Sequence, residues 1–287
     1  MAYETIFVDG HNIAVKCARA PGLDALSSED VQTGEVYGFL RLIGSLRKRY
    51  PIAPVVVVWD GKNDKRKSIF ADYKASRGKL TNTFSVQFLK EVLPLLGVRQ
   101  CVGYGDEADD VLAHLAKERP IGEKAVIVST DRDLLSAVGA RVTLLCPPPK
   151  KGKKESVFTP ESVEKQYGVP PNQIVDVRAI VGDVSDEIPG IQGLGVKQAA
   201  KIVLAYGSVE GLYQSDMKAL TKLRRKRLLE GQDVVARNKR LMTLMAPDTL
   251  TCTQPAPNRR AARAMFASLS IDDRALEPFF PKQTAFA

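Results

Sequence analysis

Three apolar runs, each ending on acidic residues, constrain this chain more than any other feature. Thr5-Ile6-Phe7-Val8 leads into Asp9-Gly10, and Val55-Val56-Val57-Val58-Trp59 leads into Asp60-Gly61. Ala125-Val126-Ile127-Val128-Ser129 leads into Thr130-Asp131-Arg132-Asp133, and Val142-Thr143-Leu144-Leu145-Cys146 predicts a fourth strand. Strands apolar at every position are buried on both faces, as in a parallel sheet covered by helices. Helical stripes fall between the runs. Val36, Phe39, Leu40, Ile43 and Leu46 form one, closed by the cationic turn Arg47-Lys48-Arg49, and Phe84, Phe88, Leu89, Val92 and Leu96 form another, ending before Gly97. The expected fold class is α/β, with a mostly parallel central sheet flanked by helices. In such sheets the ligand site lies beyond the carboxyl ends of the strands. Asp9, Asp60, Asp131 and Asp133 all fall there.

A second concentration of acid opens a helix. In Gly105-Asp106-Glu107-Ala108-Asp109-Asp110-Val111-Leu112-Ala113, four carboxylates occupy five positions ahead of an apolar periodicity at Val111, Leu112 and Leu115. Capping by Asp106, with Asp109 three residues on, accounts for part of the cluster and leaves Glu107 and Asp110 without a task. Asp183 and Asp186, after the apolar stretch Ile174 to Val181, either cap a helix end or join the same set. Carboxylates gathered this densely need protons or divalent cations to offset their repulsion. Oxygen donors alone select hard ions such as Mg²⁺ or Mn²⁺ over zinc. Neither His11 nor His114 lies in a nucleophile–base arrangement, so covalent or histidine acid–base chemistry is not expected.

The rest of the chain favours a polyanionic partner. Lys and Arg outnumber Asp and Glu by 42 to 33, a formal charge of +9. The bases cluster away from the acids. Lys62, Lys65, Arg66, Lys67, Lys74, Arg77 and Lys79 follow the second strand, in a basic insert spanning 61–84. This run is a solvated face or a phosphodiester clamp, and its Phe70 and Tyr73 either stack on a base or pack the insert. Gly190-Ile191-Gln192-Gly193-Leu194-Gly195-Val196-Lys197-Gln198-Ala199-Ala200-Lys201 has the pattern of a helix-hairpin-helix turn within 174–206. Its glycines would let a phosphate reach the backbone N–H groups at a helix start, a contact independent of base sequence.

The helical-looking runs Leu223–Leu229 and Arg237–Leu241 are basic and read equally as duplex surface or solvated faces. Pro147–Lys154 reads as a surface loop, Ser208 as a helix cap, and Leu276-Glu277-Pro278-Phe279-Phe280 as an apolar tail docking on the core. Cys17, Cys101, Cys146 and Cys252 are scattered without paired spacing and are expected to be reduced, packed thiols. No apolar run is long enough to span a bilayer, and the start of the chain lacks a signal-peptide pattern, so the expectation is a cytoplasmic protein without membrane contact.

In order and rough spacing, seven pieces of the chain resemble the 5′ nucleases. That family includes phage 5′ exonucleases, the amino-terminal nuclease domain of bacterial DNA polymerase I, and flap endonucleases. The pieces are Val8-Asp9-Gly10, Trp59-Asp60-Gly61, Tyr73-Lys74-Ala75-Ser76-Arg77, Glu107 to Ala113, Thr130 to Leu134, Gly182 to Asp186 and the hairpin. The resemblance covers residues 5 to about 245. It implies a PIN-like α/β catalytic core over 1–146 with the insert as a helical arch. Residues 147–287 would form a helical, DNA-binding region with a helix–three-turn–helix element.

Carried over by position, Asp9, Asp60, Glu107 and Asp109 would surround one Mg²⁺ or Mn²⁺. Asp131, Asp133 and Asp183 would surround a second, with Asp110 and Asp186 close by or acting through water. Arg66 or Lys67 and the pair Lys74 and Arg77 would contact phosphate. Gly190, Gly193, Leu194, Gly195, Lys197, Gln198 and Lys201 would contact the duplex, with a K⁺ ion on the turn. Val184 and Glu187 depart from the family's usual acid and Asn without removing an expected ligand. With no polymerase domain following, the expectation is a free-standing monomeric 5′-3′ exonuclease and flap endonuclease acting on DNA with a 5′ flap or end, leaving 5′-phosphates. A binding protein without catalysis and a nuclease directed at RNA–DNA hybrids are the two alternatives.

Overall fold

The computed structural model describes residues 3–20, 27–28, 31–61, 64–75, 84–148 and 152–280. Strand β1 (Thr5–Asp9) runs directly into helix α1 (Gly10–Ala18), whose N-cap is Asp9 itself. A two-residue pair, β2 (Ser27–Ser28) and β3 (Val31–Gln32), precedes α2 (Gly34–Arg49), the first stripe read from the sequence. Next come β4 (Val55–Trp59), the short α3 (Asp64–Ile69), α4 (Phe84–Leu95), β5 (Arg99–Gly103) and α5 (Ala108–Lys117). The chain continues through β6 (Ala125–Val128), β7 (Val142–Cys146), β8 (Ser156–Phe158) and α6 (Pro160–Tyr167). Helices α7 (Ile174–Val181), α8 (Val196–Tyr206), α9 (Val209–Gln214), α10 (Lys222–Glu230) and α11 (Gln232–Met242) follow. Strand β9 (Leu250–Thr253) and α12 (Arg259–Ser268) come last.

Among the described residues, seven strands form one sheet in the order β8-β7-β6-β1-β4-β5-β9. The five central strands are parallel, and β8 and β9 close the edges antiparallel. Successive strand residues alternate between two cores. Phe7, Val56, Val58, Ile127 and Leu144 pack against α5 and the C-terminal helices. Ile6, Val8, Val57, Val126 and Leu145 pack against the side formed by α1, α2, α4 and α12. The apolar tail docks as expected, since Leu276 and Phe279 are buried in the second core. The α/β class is as read from the sequence. Strands β5, β8 and β9 are additions: β5 opens on Arg99 and Gln100, which hides it from an apolar-run criterion, and β8 and β9 are short edges. Both edge strands come from the segment after residue 146, so that segment is not wholly helical.

One expectation is corrected. Cys101 and Cys252 form a disulfide, while Cys17 and Cys146 remain free and buried. The cause is register: β9 returns antiparallel beside β5 and sets Cys252 directly opposite Cys101, 151 residues away in sequence. Closing so long a loop restricts the unfolded chain, and Cys252→Ser is expected to lower stability by about 2–4 kcal/mol. The urea midpoint reads this, and wild type in dithiothreitol should match the variant. An unchanged midpoint in both would remove the bond from the account.

Candidate metal centre and nucleic-acid interface

The carboxyl ends of β1, β4 and β6 deliver Asp9, Asp60 and Asp131 to one rim of the sheet, with the start of α5 packed across it. Asp9 accepts from the Ser129 hydroxyl at 2.7 Å and from the Asn12 N–H at 3.2 Å. Asn12 in turn accepts from both the N–H and the hydroxyl of Thr130 at 2.8 Å, tying the end of β1 to the turn after β6. Asp60 accepts the Ala108 N–H at 2.8 Å, the first amide of α5. Among the described residues, Asp109, Asp131 and Asp133 offer carboxylate oxygens within 4.8 Å of one another. Arg178 of α7 bridges Asp133 and Asp183. Asp186 is buried, with a carboxylate oxygen 3.9 Å from Lys74 Nζ.

Helical spacing sorts the acids of α5. Glu107 and Asp110 lie three residues apart and share a face. That face meets the insert. Arg66 grips both oxygens of Asp110, one at 2.8 Å, lies 3.3 Å from Glu107, and donates Nε–H to the Leu241 carbonyl at 2.9 Å. Asp110 also accepts the Met245 N–H at 2.8 Å. Glu107 accepts from Tyr73 at 3.0 Å and from Lys74 at 2.9 Å. Asp109 points elsewhere, into the cluster with Asp131.

These contacts revise several sequence expectations. Arg66 is buried and held by Asp110, Glu107 and the Leu241 carbonyl, so it is not a free phosphate contact. Asp110 has its oxygens bonded to Arg66 and Met245 and is not among the grouped carboxylates Asp109, Asp131 and Asp133. Asp109, expected with Asp9 and Asp60, sits with Asp131 and Asp133. Glu107, not Asp106, occupies the N-cap of α5, and Asp106 instead pairs with Lys65 at 2.6 Å, which also reaches Asp248 at 2.9 Å. Tyr73 and Phe70 pack the insert: Tyr73 is buried, and Arg237 lies 4.2 Å over the Phe70 ring. Lys67 is exposed on α3, whereas Lys74 is largely covered. Arg77, Lys62 and Lys79 lie outside the described residues, as does 76–83 of the insert as a whole.

Arg178, Ser129, Asn12 and His11 were not anticipated in the site. Arg178 had a signal, a lone cation inside the apolar run Ile174–Val181.

Charge explains why this rim suits a cation. Burial first, then the Asp60 charge, pushes Asp9 up to about 8. Burial, then Asp131, raises Asp133 to about 7 despite Arg178. Burial and the charges of Asp131, Asp9 and Asp133 raise Asp109 well above the usual carboxylate range. Asp60 behaves oppositely. Burial would raise it, but hydrogen bonding with His11 and the Ala108 amide, together with the charge of Lys74, brings it below its ordinary value. Lys74 and Arg66 are themselves held more firmly protonated, since Glu107 and Asp110 outweigh the burial that would discharge them.

The cluster therefore combines clustered oxygen donors, suppressed ionisation and, among the described residues, no ion pair to Asp9 or Asp109, which fits a hard divalent ion. A pH effect follows. The unfolded chain releases the Asp9 and Asp133 protons near 3.8, while the folded chain keeps them to about 8 and about 7. Their stabilising contribution is full below pH 3.8 and is lost as pH rises through those folded values. In EDTA the melting temperature should fall between pH 5 and pH 8, less so in Asp9→Asn, and saturating Mg²⁺ should oppose the fall because cations bind the deprotonated forms. A Mg²⁺ effect no larger at pH 8 than at pH 5 would contradict this.

The hairpin lies on the α7–α8 connection. Ile191 donates its N–H to the Ile180 carbonyl at 2.8 Å, and a Cβ on Gly190 would stand 1.8 Å from the Val181 carbonyl oxygen, so only glycine permits this closure. Leu194 is buried beneath the turn. Gly193, Gly195, Lys197, Gln198 and Lys201 are exposed, and the N-terminus of α8 carries no side-chain cap, although the Gln198 N–H already donates to the Gly195 carbonyl at 3.0 Å. Arg227 of α10 donates to the Gln192 carbonyl at 3.0 Å, and Lys222, Arg224, Arg225 and Lys226 of α10 are exposed.

A mostly parallel sheet with a rim of acids and an appended hairpin-bearing helical region defines a PIN-like nuclease class of architecture. Residues 4–168 match the family model described as 5′-3′ exonuclease, N-terminal resolvase-like domain, and residues 169–258 match 5′-3′ exonuclease, C-terminal SAM fold. The chain belongs to the 5′-3′ exonuclease family. A 5′-3′ exonuclease of Aquifex aeolicus is 41% identical over 193 residues, 66% of this chain and 65% of that protein. DNA polymerase I of Caldicellulosiruptor bescii is 33% identical over 246 residues, 84% of this chain and 29% of that protein. The matches thus span less than two thirds of these relatives' own lengths. A bacteriophage T5 flap endonuclease, in a complex with DNA and metal ions, shares the fold with a TM-score of 0.65 at 20% identity, over 96% of this chain and 97% of that one. Among the described residues no helix is long and apolar enough to cross a membrane.

Proposed function

We propose that this protein is a structure-specific 5′ nuclease, a 5′-3′ exonuclease and flap endonuclease that hydrolyses DNA phosphodiesters and leaves 5′-phosphates. The observation that carries the reading is the convergence of Asp9, Asp60, Asp109, Asp131 and Asp133 on one rim in a chain matched to the family over 4–258. Asp109, Asp131 and Asp133, with Asp9 and Asp183 beside them, would hold two Mg²⁺ or Mn²⁺ ions. Such ions supply an activated water and offset charge on the phosphodiester.

The chain's own groups orient that centre. Ser129 and Asn12 aim Asp9, the Ala108 amide aims Asp60, and Arg178 holds Asp133 and Asp183 in one place. Lys74, seated between Glu107 and Asp186, places positive charge at the edge of the cluster. The uncapped α8 start with Lys197 and Lys201, continued by α10, would take the duplex backbone by charge and amide contact. A K⁺ ion on the hairpin, a monomeric state and action in the cytoplasm of a bacterial or phage-infected cell belong to the same proposal.

The test is cleavage of 5′-labelled flap, nicked, blunt and RNA–DNA duplexes by the full chain in Mg²⁺ or in EDTA. Flap and 5′-end products that EDTA abolishes support the proposal. Binding without cleavage in either Mg²⁺ or Mn²⁺ would make the chain a DNA-binding protein, and cleavage confined to the RNA–DNA duplex would redirect it to RNA primers. Replacing K⁺ by Li⁺ should weaken duplex binding and leave cleavage of single strands unchanged.

A further inference from the structure

His11 is the buried titratable group at the rim to which the reaction above gives no task. It stands on the first turn of α1, two residues after Asp9, and its Nδ1 lies 3.1 Å from Asp60 Oδ2 and 3.1 Å from the Asp60 backbone N. The ring has little freedom to be elsewhere. It meets the Trp59 ring edge-on with centroids 5.2 Å apart, and Trp59 is itself fixed by a 2.6 Å bond from Nε1–H to Gln100 and by stacking on Phe39 at 5.9 Å. Gly10 makes this approach possible, since a Cβ there would lie 2.4 Å from the Trp59 ring.

Packing alone would be met by a phenyl ring. What imidazole adds is one nitrogen set against Asp60, whose other oxygen already accepts the Ala108 N–H. Asp60 is thereby held from two sides, by the start of α5 and by the start of α1. Nδ1 can serve one neighbour at a time. As Nδ1–H it donates to Oδ2; with the proton on Nε2 it accepts the Asp60 N–H and leaves Oδ2 open to a cation. The exchange between these tautomers needs no net proton.

We infer that His11 is a positioning residue, which sets the orientation of the Asp60 carboxylate for divalent-cation binding at the rim. The inference rests on reading this cluster as a metal centre. Groups that hydrogen-bond a ligating carboxylate typically contribute about 10- to 100-fold to metal affinity or activity.

The experiment titrates Mn²⁺ into the full chain without DNA, followed by electron paramagnetic resonance, for wild type, His11→Phe, His11→Gln and His11→Asn. The Asn amide can reach the place of Nδ1, whereas the Gln amide reaches that of Nε2. His11→Phe and His11→Gln should weaken Mn²⁺ binding by about 10- to 100-fold, while His11→Asn stays near wild type. DNA affinity in EDTA should be the same for all four chains. Equal Mn²⁺ affinity throughout, or an Asn variant as weak as the Phe variant, would overturn the positioning role. If the Phe variant does not fold, the Asn and Gln pair decides alone. Mn²⁺ binding by a wild type that cleaves nothing would remove the nuclease proposal and leave this inference standing.

Discussion

Asp131→Asn is expected to lower cleavage about 10³-fold or more while DNA affinity in EDTA stays within about tenfold of wild type. The asymmetry follows from where Asp131 sits. It is central to the one group of described carboxylates close enough to share an ion, and its Oδ1 also accepts the Asp133 N–H at 2.9 Å. Asn keeps the volume and an acceptor but removes the charge on which a hard cation depends. The hairpin and α10, assigned to the duplex backbone, are untouched by the change. Single-turnover rates on a flap substrate, with binding measured separately, decide the matter. Retained cleavage at wild-type rate would remove Asp131 from the centre.

The second large effect is on stability. Arg66→Ala should cost about 3–5 kcal/mol, because it leaves Asp110 buried without its partner. The Arg66 side chain is 5% exposed and that of Asp110 0%, so solvent cannot take over the guanidinium's part. Arg66→Lys should recover little, since an ammonium cannot reproduce the two-pronged grip and still reach the Leu241 carbonyl. Replacing both partners, Arg66→Met with Asp110→Leu, should restore much of the loss. Urea denaturation of the four chains measures this. A wild-type midpoint in Arg66→Ala, accompanied by a selective loss of phosphate binding, would return Arg66 to the solvent-facing role that the family resemblance implied.

The contrast between Asp131 and Arg66 marks how far the sequence could be read. Acids that follow apolar runs are legible because strand burial and strand ends are local properties, visible in Val55–Trp59 and in Ala125–Ser129. The same holds for the stripe of α2 and the limits of α7. Arg66 was not legible: a base in a run of bases looks solvated, and only the arrival of Asp110 and the Leu241 carbonyl turns it inward. Asp110 shows the converse, an acid in an acidic motif whose helical phase turns it, with Glu107, toward Arg66 and not into the Asp109–Asp131–Asp133 group. Strand β9 and the Cys101–Cys252 bond depend on register between segments 151 residues apart, which no local pattern encodes. Arg178 and His11 lay between these cases, each set beside residues already singled out, and neither became informative until its partner was placed.

The central claim is that carboxylates from β1, β4, α5 and the turn after β6 jointly hold divalent cations. The most direct measurement is an anomalous difference map from crystals of the chain grown with Mn²⁺. The account predicts density within coordination distance of Asp109, Asp131 and Asp133, and a second peak nearby on the Asp9 or Asp183 side. A well-ordered map with the acids in place and no anomalous density at this rim, at Mn²⁺ concentrations that saturate any cleavage, would contradict it.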